Sequence, residues 1–332
     1  MHWSQALELD TETRMLPFFR RQWFLLSLVG VFALGFCFPQ RFAAFANAKT
    51  LRNCIVATVL FIMALPLDTK SVALSIWRPW PALLASLVNM CLLPLVAWIL
   101  SRALVGDMRV GLLVAASVPC TLASAAVWTR RAGGDDTVAL LVTAATNITC
   151  FLTTPFLLYA TTGSEMSAQH QADLARMPIR LALLVVLPMA LGQLVRQQRR
   201  IGEWSTRQKP LLSTVAQAGI LSMVLSGATV CGLKLSETNW LSLAGFPLMC
   251  GLALALHVFV LFSGMKLASL AGFSRPQQIA VGIAGSQKTL MVGLDIAISY
   301  FGGLAILPMV VYHFIQLFAD TVIADRLRSR NV

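Results

Sequence analysis

The sequence predicts an all-α integral membrane protein with about ten transmembrane helices, and two observations lead to this fold class. Of the 332 residues, 57% are hydrophobic and only 12% are charged, which is about half the charged fraction of a typical soluble domain. The apolar residues also form runs long enough to cross a bilayer, and no polar tract between them resembles an interdomain linker. We therefore predict one membrane domain at 22–325, a cytoplasmic tail at 1–21 and a basic tail at 326–332.

Apolar runs follow one another along this domain. A helix needs about 20 apolar residues to cross the hydrocarbon core of a bilayer, and about ten segments approach that length. They lie at 22–38, 53–67, 79–101, 109–129, 136–160, 178–196, 210–233, 239–265, 277–299 and 301–322.

Basic residues set the predicted orientation. The net charge is +12, but no signature of a nucleic-acid-binding module accompanies it, so we expect these side chains to face the lipid bilayer and not nucleic acid. With a cytoplasmic N-terminus, 17 of the 26 Lys and Arg residues fall in inside segments and 8 in outside segments, with Lys288 left within the membrane. This bias predicts an inner-membrane protein with both termini in the cytoplasm.

The basic stretch 196–209 divides the predicted helices into five and five. Because five is odd, two halves with the same fold would enter the membrane from opposite sides. That is the plan of the inverted repeats found in many secondary transporters. We therefore predict one repeat at 22–160 and a second, inverted repeat at 178–322.

Most spans contain plain apolar side chains, but a few carry polar ones. Pro and Gly in the fourth and ninth spans interrupt the helical hydrogen-bond ladder, and freed backbone groups are tolerated at membrane depth only beside protein or a water-filled cavity. Transporters place substrate and ion sites at such broken helices. The candidate site residues are Asn89 in the third span, Thr121 and Ser124 in the fourth, Thr143 and Asn147 in the fifth, and Ser286, Gln287, Lys288, Thr289 and Asp295 in the ninth.

These candidates differ in how strongly they indicate function. Taken singly, Ser124 and Thr143 fit ordinary hydrogen bonds between neighbouring helices. The amides of Asn147 and Gln287 need several partners in a dry core, which makes them stronger candidates. Lys288 is the strongest, because a lysine near mid-span is costly to bury and function is the first hypothesis for it.

Asp295 follows Lys288 by seven residues, on the same helical face but about two turns away. Two interpretations stay open: a local break or a bridging substrate links the two side chains, or Asp295 lies in water near the outer end of its helix. His257 and His313, in the eighth and tenth spans, could carry protons. A single histidine in a membrane helix is, however, more often a packed and hydrogen-bonded residue.

No enzymatic signature accompanies these residues. The GxSxG, HExxH and P-loop patterns are missing, and no pair of the seven cysteines has metal-ligand spacing. We therefore expect a protein that is not an enzyme and has no cofactor. Without a nucleotide-binding domain, a gradient of Na⁺ or H⁺ or a partner protein would have to drive any active transport.

Two blocks of sequence carry a family resemblance. The first contains Pro119-Cys120-Thr121, Ser124, Thr129, Ala132-Gly133-Gly134-Asp135, Thr146-Asn147 and Thr154-Pro155. The second, Gly285–Thr289, is Gly-Ser-Gln-Lys-Thr. Together they resemble the bile acid:sodium symporter superfamily, in particular its SBF-like branch, which is related to transporters of the solute carrier family 10 member 7 type and typically shows Gly-Ser-Lys-Lys-Ser at the second block.

The resemblance implies ten helices arranged as a panel domain and a core domain, with the fourth and ninth helices unwound and crossing at the centre. It also implies that, in sodium-dependent members, oxygens near the crossing bind sodium. Carried over by position, Ser124 and Gln287 match such ligands and Asn89 stands where a glutamine ligand occurs. Thr143 and Asn147 are the nearest equivalents of a Ser/Thr pair in the fifth helix.

The sequence departs from the sodium-binding pattern at two positions. The acidic residue that bridges both sodium sites in the bile acid carriers falls at Ile283, and an asparagine of the pattern falls at Lys288. An ammonium beside a sodium ion in a low-dielectric site would cost several kcal/mol in repulsion. The hypothesis is that Lys288 replaces a bound cation, so that transport is sodium-independent or is coupled to protons through deprotonation of Lys288.

We therefore expect a secondary active transporter of a small, anionic organic solute, coupled to Na⁺ or H⁺, with Lys288 and the N-termini of half-helices facing the anion. Two alternatives stay open. Pro119-Cys120 is also similar to a segment of the arsenite exporters of the same superfamily, so metalloid efflux through Cys120 is the second hypothesis. A membrane sensor or assembly factor that reuses the fold without transport is the third.

Overall fold

The computed structural model describes residues 23–67, 79–122, 124–163, 168–237 and 245–329, and within these ranges every regular element is a helix. The first half contains α1 (Trp23–Cys37), α2 (Pro39–Asn47), α3 (Lys49–Ala64), α4 (Trp80–Ser101), α5 (Gly106–Ser117), α6 (Ser124–Arg131) and α7 (Asp136–Thr162). The second half contains α8 (Ala168–Leu181, continued by Ala182–Val186 and Leu187–Arg196), α9 (Arg199–Arg207), α10 (Lys209–Glu237), α11 (Phe246–Leu270), α12 (Arg275–Ser286), α13 (Leu290–Ile296, continued by Ala297–Phe301) and α14 (Ile306–Ser329).

The number of membrane spans is supported in part. Six of the described helices are long and apolar enough to cross a membrane, or seven if α1 and α2, which meet at 100°, form one bent span. The other predicted spans do not qualify as single helices, because α3 has only 16 residues and the fourth and ninth spans are each interrupted. The all-α prediction is confirmed for the described residues, whereas the ten-span inverted repeat and its panel and core domains stay predictions.

The predicted tails stay predictions. The N-terminal tail at 1–21 lies outside the described residues. Residues 326–329, at the start of the predicted basic tail, form the last turn of α14, which ends at Ser329. Arg326 and Arg328 lie in this turn, where basic side chains interact favourably with the helix dipole.

Local sequence explains where α7 and α12 begin. The Asp135 side chain caps α7 by accepting a hydrogen bond from the Thr137 amide (3.0 Å). Ser274 caps α12 in a capping box with Gln277. The Asp135 amide donates to the Pro276 carbonyl (3.0 Å), so the starts of these two helices are tied together at one end of the bundle.

Glycines bring α12 close to its neighbours. A Cβ atom added at Gly282 would lie 2.7 Å from the Leu261 carbonyl of α11, and one added at Gly285 would lie 2.7 Å from Val88 Cγ1 of α4. Such close backbone approach through small residues is typical of helix packing in membranes. It sets the C-terminal end of α12 against α4 and α11, where the candidate site begins.

Candidate functional site

The fourth predicted span is broken in its middle. α5 ends at Ser117, and the chain is extended at Val118 (φ −77°, ψ 160°) before α6 begins. The break frees backbone carbonyls that need partners inside a membrane protein. Five of them have partners from other segments. The Val118 carbonyl accepts from Lys288 Nζ, Ser117 O from Thr154 Oγ1 (2.9 Å), Pro119 O from the Thr289 amide (2.9 Å), Cys120 O from Asn147 Nδ2 (2.8 Å) and Thr121 O from Thr143 Oγ1 (3.1 Å).

The ninth predicted span is broken in the same way. α12 ends at Ser286, and Gln287 and Thr289 are extended before α13 begins. Gln316 of α14 holds the free backbone of Lys288 on both sides: its Oε1 accepts from the Lys288 amide (2.9 Å), and its Nε2 donates to the Lys288 carbonyl (3.0 Å). The Thr289–Pro119 backbone hydrogen bond places the two breaks directly against each other.

Asn89 of α4 forms hydrogen bonds with backbone carbonyls at the second break. It lies in a π-helical turn, Val88–Leu92, and is fully buried. Its Nδ2 donates to the Gln287 carbonyl (2.9 Å) and also lies within 3.2 Å of the Gly285 carbonyl. π-Helical turns inside α-helices are frequent at functional sites, and this one turns an amide toward carbonyls that the second break exposes.

The ammonium group of Lys288 lies between the two breaks and is fully buried. Nζ donates to the Asn89 backbone carbonyl (2.7 Å), to Asn89 Oδ1 (3.0 Å) and to the Val118 carbonyl (2.8 Å). These three bonds use all three donors of a lysine. All three acceptors are neutral oxygens, so the ammonium is held in the manner of a small cation.

A second set of polar side chains lies beside this centre. His257 of α11 and Asp320 of α14 are fully buried, and His257 Nε2 lies 2.9 Å from Asp320 Oδ1. Gln287 Nε2 donates to Asp320 Oδ2, and Ser124 Oγ donates to Gln287 Oε1 (2.9 Å). These contacts form one continuous chain from His257 through Asp320 and Gln287 to Ser124.

The chain ends at a cavity of about 330 Å³. Thr121, Ser124 and His313 lie on its wall at the centre, and Arg131, which is paired with Asp325 (2.7 Å), lies among its lining residues. Its apolar lining consists of Phe24, Leu25, Met63, Val127, Trp128, Ile220 and Leu317. The cavity therefore offers hydroxyl groups, a guanidinium and a large apolar surface to one solute.

The structure brings most of the predicted site residues to one centre. Asn89 and Lys288 share hydrogen bonds, Ser124 bonds Gln287, and Thr143 and Asn147 bond the carbonyls of the first break. Ser286 and Thr289 contribute through their backbone, and Thr121 lines the cavity. Among the described residues, the buried Asn147 Oδ1 has no hydrogen-bond partner, which leaves one acceptor free at this centre.

Asp295 does not belong to this centre. Its side chain is 2% exposed and its Oδ1 accepts from Arg180 Nη2 (2.7 Å). A position in water is therefore wrong, and among the described residues no hydrogen bond joins Asp295 to Lys288, whose Nζ partners are Asn89 and Val118. The reason is a partner from α8, 115 residues away in sequence, which the pattern of the ninth span alone does not indicate.

Sequence reasoning missed part of the last helix. Gln316 and Asp320 were not singled out, although both are fully buried and contact the second break or its side chains. A signal was present, since His313, Gln316 and Asp320 are spaced by three and four residues and share one helical face. His257 is packed and hydrogen-bonded, as expected of a histidine in a membrane helix, but its partner Asp320 makes the pair noteworthy.

Comparisons with known proteins find relatives that are similar in sequence over nearly the whole chain. An uncharacterised protein of Pseudomonas aeruginosa is 28% identical and covers 92% of this chain and 93% of its own length. Sodium/bile acid cotransporter 7 of Rattus norvegicus is 25% identical, over 95% of each chain. The YfeH protein of Escherichia coli K12 is 26% identical, over 92% of this chain and 93% of its own.

A family model gives the same result over almost the whole sequence. It matches residues 22–329, which include both helix breaks, Lys288 and the His257–Asp320 pair. The family and the rat relative carry the names of transporters, in agreement with the function class expected of broken, polar membrane helices. The chain belongs to the SBF-like CPA transporter family.

Proposed function

We propose that the protein is a secondary active transporter that moves a small organic anion across the membrane by alternating access. The observation that carries this proposal is the buried ammonium group of Lys288, held between the two helix breaks by three neutral oxygens. A buried charge at membrane depth is costly and is kept where function needs it. An anionic solute supplies the opposite charge that the hydrogen-bond partners of Lys288 lack.

The cavity beside the first break is the proposed place for the solute. The hydroxyl groups of Thr121 and Ser124 lie at its inner end, on the same break as the Val118 carbonyl that Lys288 contacts. The Thr121 hydroxyl can donate to a carboxylate or sulfonate, and hydrogen bonds to charged groups are the stronger ones, whereas the Ser124 hydroxyl already donates to Gln287. The apolar lining then accommodates the remainder of the molecule, which favours an anion with an apolar body.

We propose that sodium does not drive this transport. The ammonium of Lys288 uses the oxygens of Asn89 and Val118 that a small cation would need, and its charge repels a second cation nearby. The residues that match sodium ligands in the family are also engaged: Ser124 bonds Gln287, and Thr143 bonds Thr121. If the Lys288 ammonium replaces a bound cation, both the use of these oxygens by Lys288 and the hydrogen bonds among the ligand-like side chains are explained.

The sum of the buried charges at this centre favours the proton as the coupling ion. With Lys288 positive, Asp320 negative and His257 neutral, the buried centre carries no net charge. A proton added to the His257–Asp320 pair and one bound monovalent anion again sum to zero. The empty and the fully loaded carrier therefore reorient without a net buried charge, whereas a carrier with only one of the two ligands does not. We propose electroneutral symport with one proton for each anion.

The His257–Asp320 pair is a better proton carrier than Lys288. A deprotonated Lys288 has only two N–H donors for its three buried oxygen partners, so one oxygen would lose its hydrogen bond at a cost in free energy. In the pair, two titratable groups are in direct contact and can share an added proton. Among the described residues, further titratable side chains near this centre include Tyr312 and His313 of α14, Cys120 of the first break and Cys91 of α4.

A thermal-shift screen of the purified protein tests the proposal. Bile acids, taurocholate and benzenesulfonate would be compared in sodium and in choline salts and across pH, and the anion with the largest shift would be used for flux in proteoliposomes. Lys288→Ala should abolish flux in choline salts. Lys266→Ala, a matched change at an exposed position of α11, should retain it. Absence of flux with every anion that stabilises the protein would instead favour a sensor.

Metalloid efflux through Cys120 is less well supported. The Cys120 thiol is fully buried and contacts Thr143 Oγ1 (3.8 Å) and the Thr121 carbonyl (3.9 Å). Across the part of the chain that the structure describes, no three His, Cys, Asp or Glu side chains form a group that could hold a metal. Loss of arsenite resistance on Cys120→Ala, in a variant that still reaches the membrane, would reverse this preference.

A further inference from the structure

A buried ion pair lies at the end of the bundle opposite to the solute cavity. Arg180 Nη2 donates to Asp295 Oδ1 (2.7 Å) and to Asn53 Oδ1 (3.2 Å). The Arg180 guanidinium also lies over the Tyr300 ring, at 5.4 Å from its centroid. Asp295 is almost fully buried, and its Oδ2 has no hydrogen-bond partner among the described residues.

The course of α7 and α8 separates this pair from the cavity beside the first break. α7 starts beside Arg130, which pairs with Asp136, and its 27 residues span about 40 Å. α8 follows at the far end of α7 and carries Arg180 in its first half. The Arg180–Asp295 pair therefore lies towards the end of the bundle at which α7 ends, and the arginines near the solute cavity lie at the end at which α7 begins.

An open cavity of about 540 Å³ lies in front of the ion pair. Its polar lining consists of Lys49, Asn53, Arg176 and Arg180, and Asp295 does not line it. Three cationic side chains therefore face the cavity, and among the residues that the structure describes no carboxylate belongs to its lining. Such a concentration of one sign of charge raises the local concentration of anions.

A fourth cation, Arg52, lies near the ion pair but does not line the cavity. Arg52 is 8% exposed, and its Nε has no hydrogen-bond acceptor among the described residues. It interacts electrostatically with both Arg180 and Asp295. The single buried carboxylate of Asp295 is thus surrounded by more positive charge than it neutralises, and a buried guanidinium donor is left without an acceptor.

We propose that this cavity is a second anion-binding site, at which the carboxylate or sulfonate group of a solute displaces Asp295 from Arg180. A guanidinium presents five donors and binds such planar or multi-oxygen anions in a two-point fashion. In the absence of solute, the Asp295 carboxylate is the anion that Arg180 binds. This inference rests on the proposed function, because it names the place where the same anion is captured at the other end of the bundle.

Two variants of the same ion pair give opposite predictions. Asp295→Asn removes the competing carboxylate and frees Arg180, so the full-length protein should bind taurocholate or benzenesulfonate about tenfold more tightly. Arg180→Gln removes the anion's partner and should weaken binding by a similar factor. If the ion pair has only a structural role, both variants should change the affinity for the anion in the same direction, because each variant breaks the pair.

The controls separate a folding defect from a binding effect. Arg41→Gln on exposed α2 and Glu203→Gln on exposed α9 make the same chemical changes elsewhere and should leave the affinity unchanged. The double variant Arg180→Gln/Asp295→Asn removes both members of the pair and should bind as weakly as Arg180→Gln. Thermal unfolding of each variant shows whether it is folded before affinity is compared.

Each outcome bears on one claim. Changes in the same direction for Asp295→Asn and Arg180→Gln, or binding of neither sulfonate to any form, overturn the second site. If the wild type still transports an anion in that case, the proposed function stands alone. If the two variants shift affinity in opposite directions while no form shows flux, the anion site stands and the transport function fails.

Discussion

Removal of the Lys288 ammonium should turn a sodium-insensitive protein into one that binds sodium. In Lys288→Ala the side chain that connects the two helix breaks is lost, and three buried oxygens are released: the Asn89 carbonyl, Asn89 Oδ1 and the Val118 carbonyl. These oxygens converge on one point because they all accept from the same nitrogen. A sodium ion, which prefers oxygen ligands, would have a ready set of them in the variant and none in the wild type.

The expected magnitudes follow from these contacts. Three hydrogen bonds from a charged donor contribute about 1.5–3 kcal/mol each, and the cost of burying the ammonium offsets several kcal/mol of that total. Without sodium, Lys288→Ala should therefore be less stable than the wild type by about 2–4 kcal/mol. Sodium at about a hundred times its dissociation constant should restore about 2.7 kcal/mol through binding to the folded state alone.

The assay is thermal unfolding in sodium chloride and in choline chloride at equal ionic strength. Sodium should raise the melting temperature of Lys288→Ala by a few degrees and leave that of the wild type unchanged. Lys266→Ala, exposed on α11, should behave as the wild type in both salts. A sodium shift of equal size in the wild type, or none in Lys288→Ala, would refute the reasoning that the ammonium replaces a cation.

Three further predictions concern other parts of the molecule. Asp320→Asn should keep solute exchange between equal concentrations but lose accumulation driven by a proton gradient, and coupled accumulation in this variant would contradict the role given to the pair. Cys120→Ala should retain anion flux and lose about 1 kcal/mol of stability or less, as checked by uptake and thermal unfolding. Gly111→Ala should destabilise the protein by about 1–3 kcal/mol in thermal unfolding, because the added Cβ would lie 2.7 Å from Pro308 Cγ. Gly251→Ala is the matched control. Nothing lies within 4 Å of a Cβ added there, so this change should be neutral in the same experiment.

The sequence predicted the elements of this structure better than it predicted their contacts. Long apolar runs indicated the helices because burial in lipid requires continuous apolar segments. Lys288 was identified because a charge within such a run is rare and costly. Its partner Asn89 is 199 residues away in the chain, and a pairing over that distance leaves no trace in the periodicity of either helix.

The His257–Asp320 pair and the Arg180–Asp295 pair show the same limitation. Asp320 lies in the tenth apolar run, in which hydrophobic neighbours concealed a polar face. Arg180, near the start of the predicted span at 178–196, lies within α8 and contacts a buried carboxylate. Single charges near the ends of apolar runs are compatible with either water or a partner, and only the packing of the helices decides between them.

The central claim is that Lys288 replaces the cation and that protons drive the transport of an organic anion. Uptake into proteoliposomes by the wild-type protein tests it most directly, with the anion that gives the largest thermal shift and with a sodium gradient or a proton gradient imposed separately. The proton gradient should produce accumulation that is insensitive to membrane potential, and the sodium gradient should produce none. Accumulation driven by sodium, with no response to the proton gradient, would contradict the account.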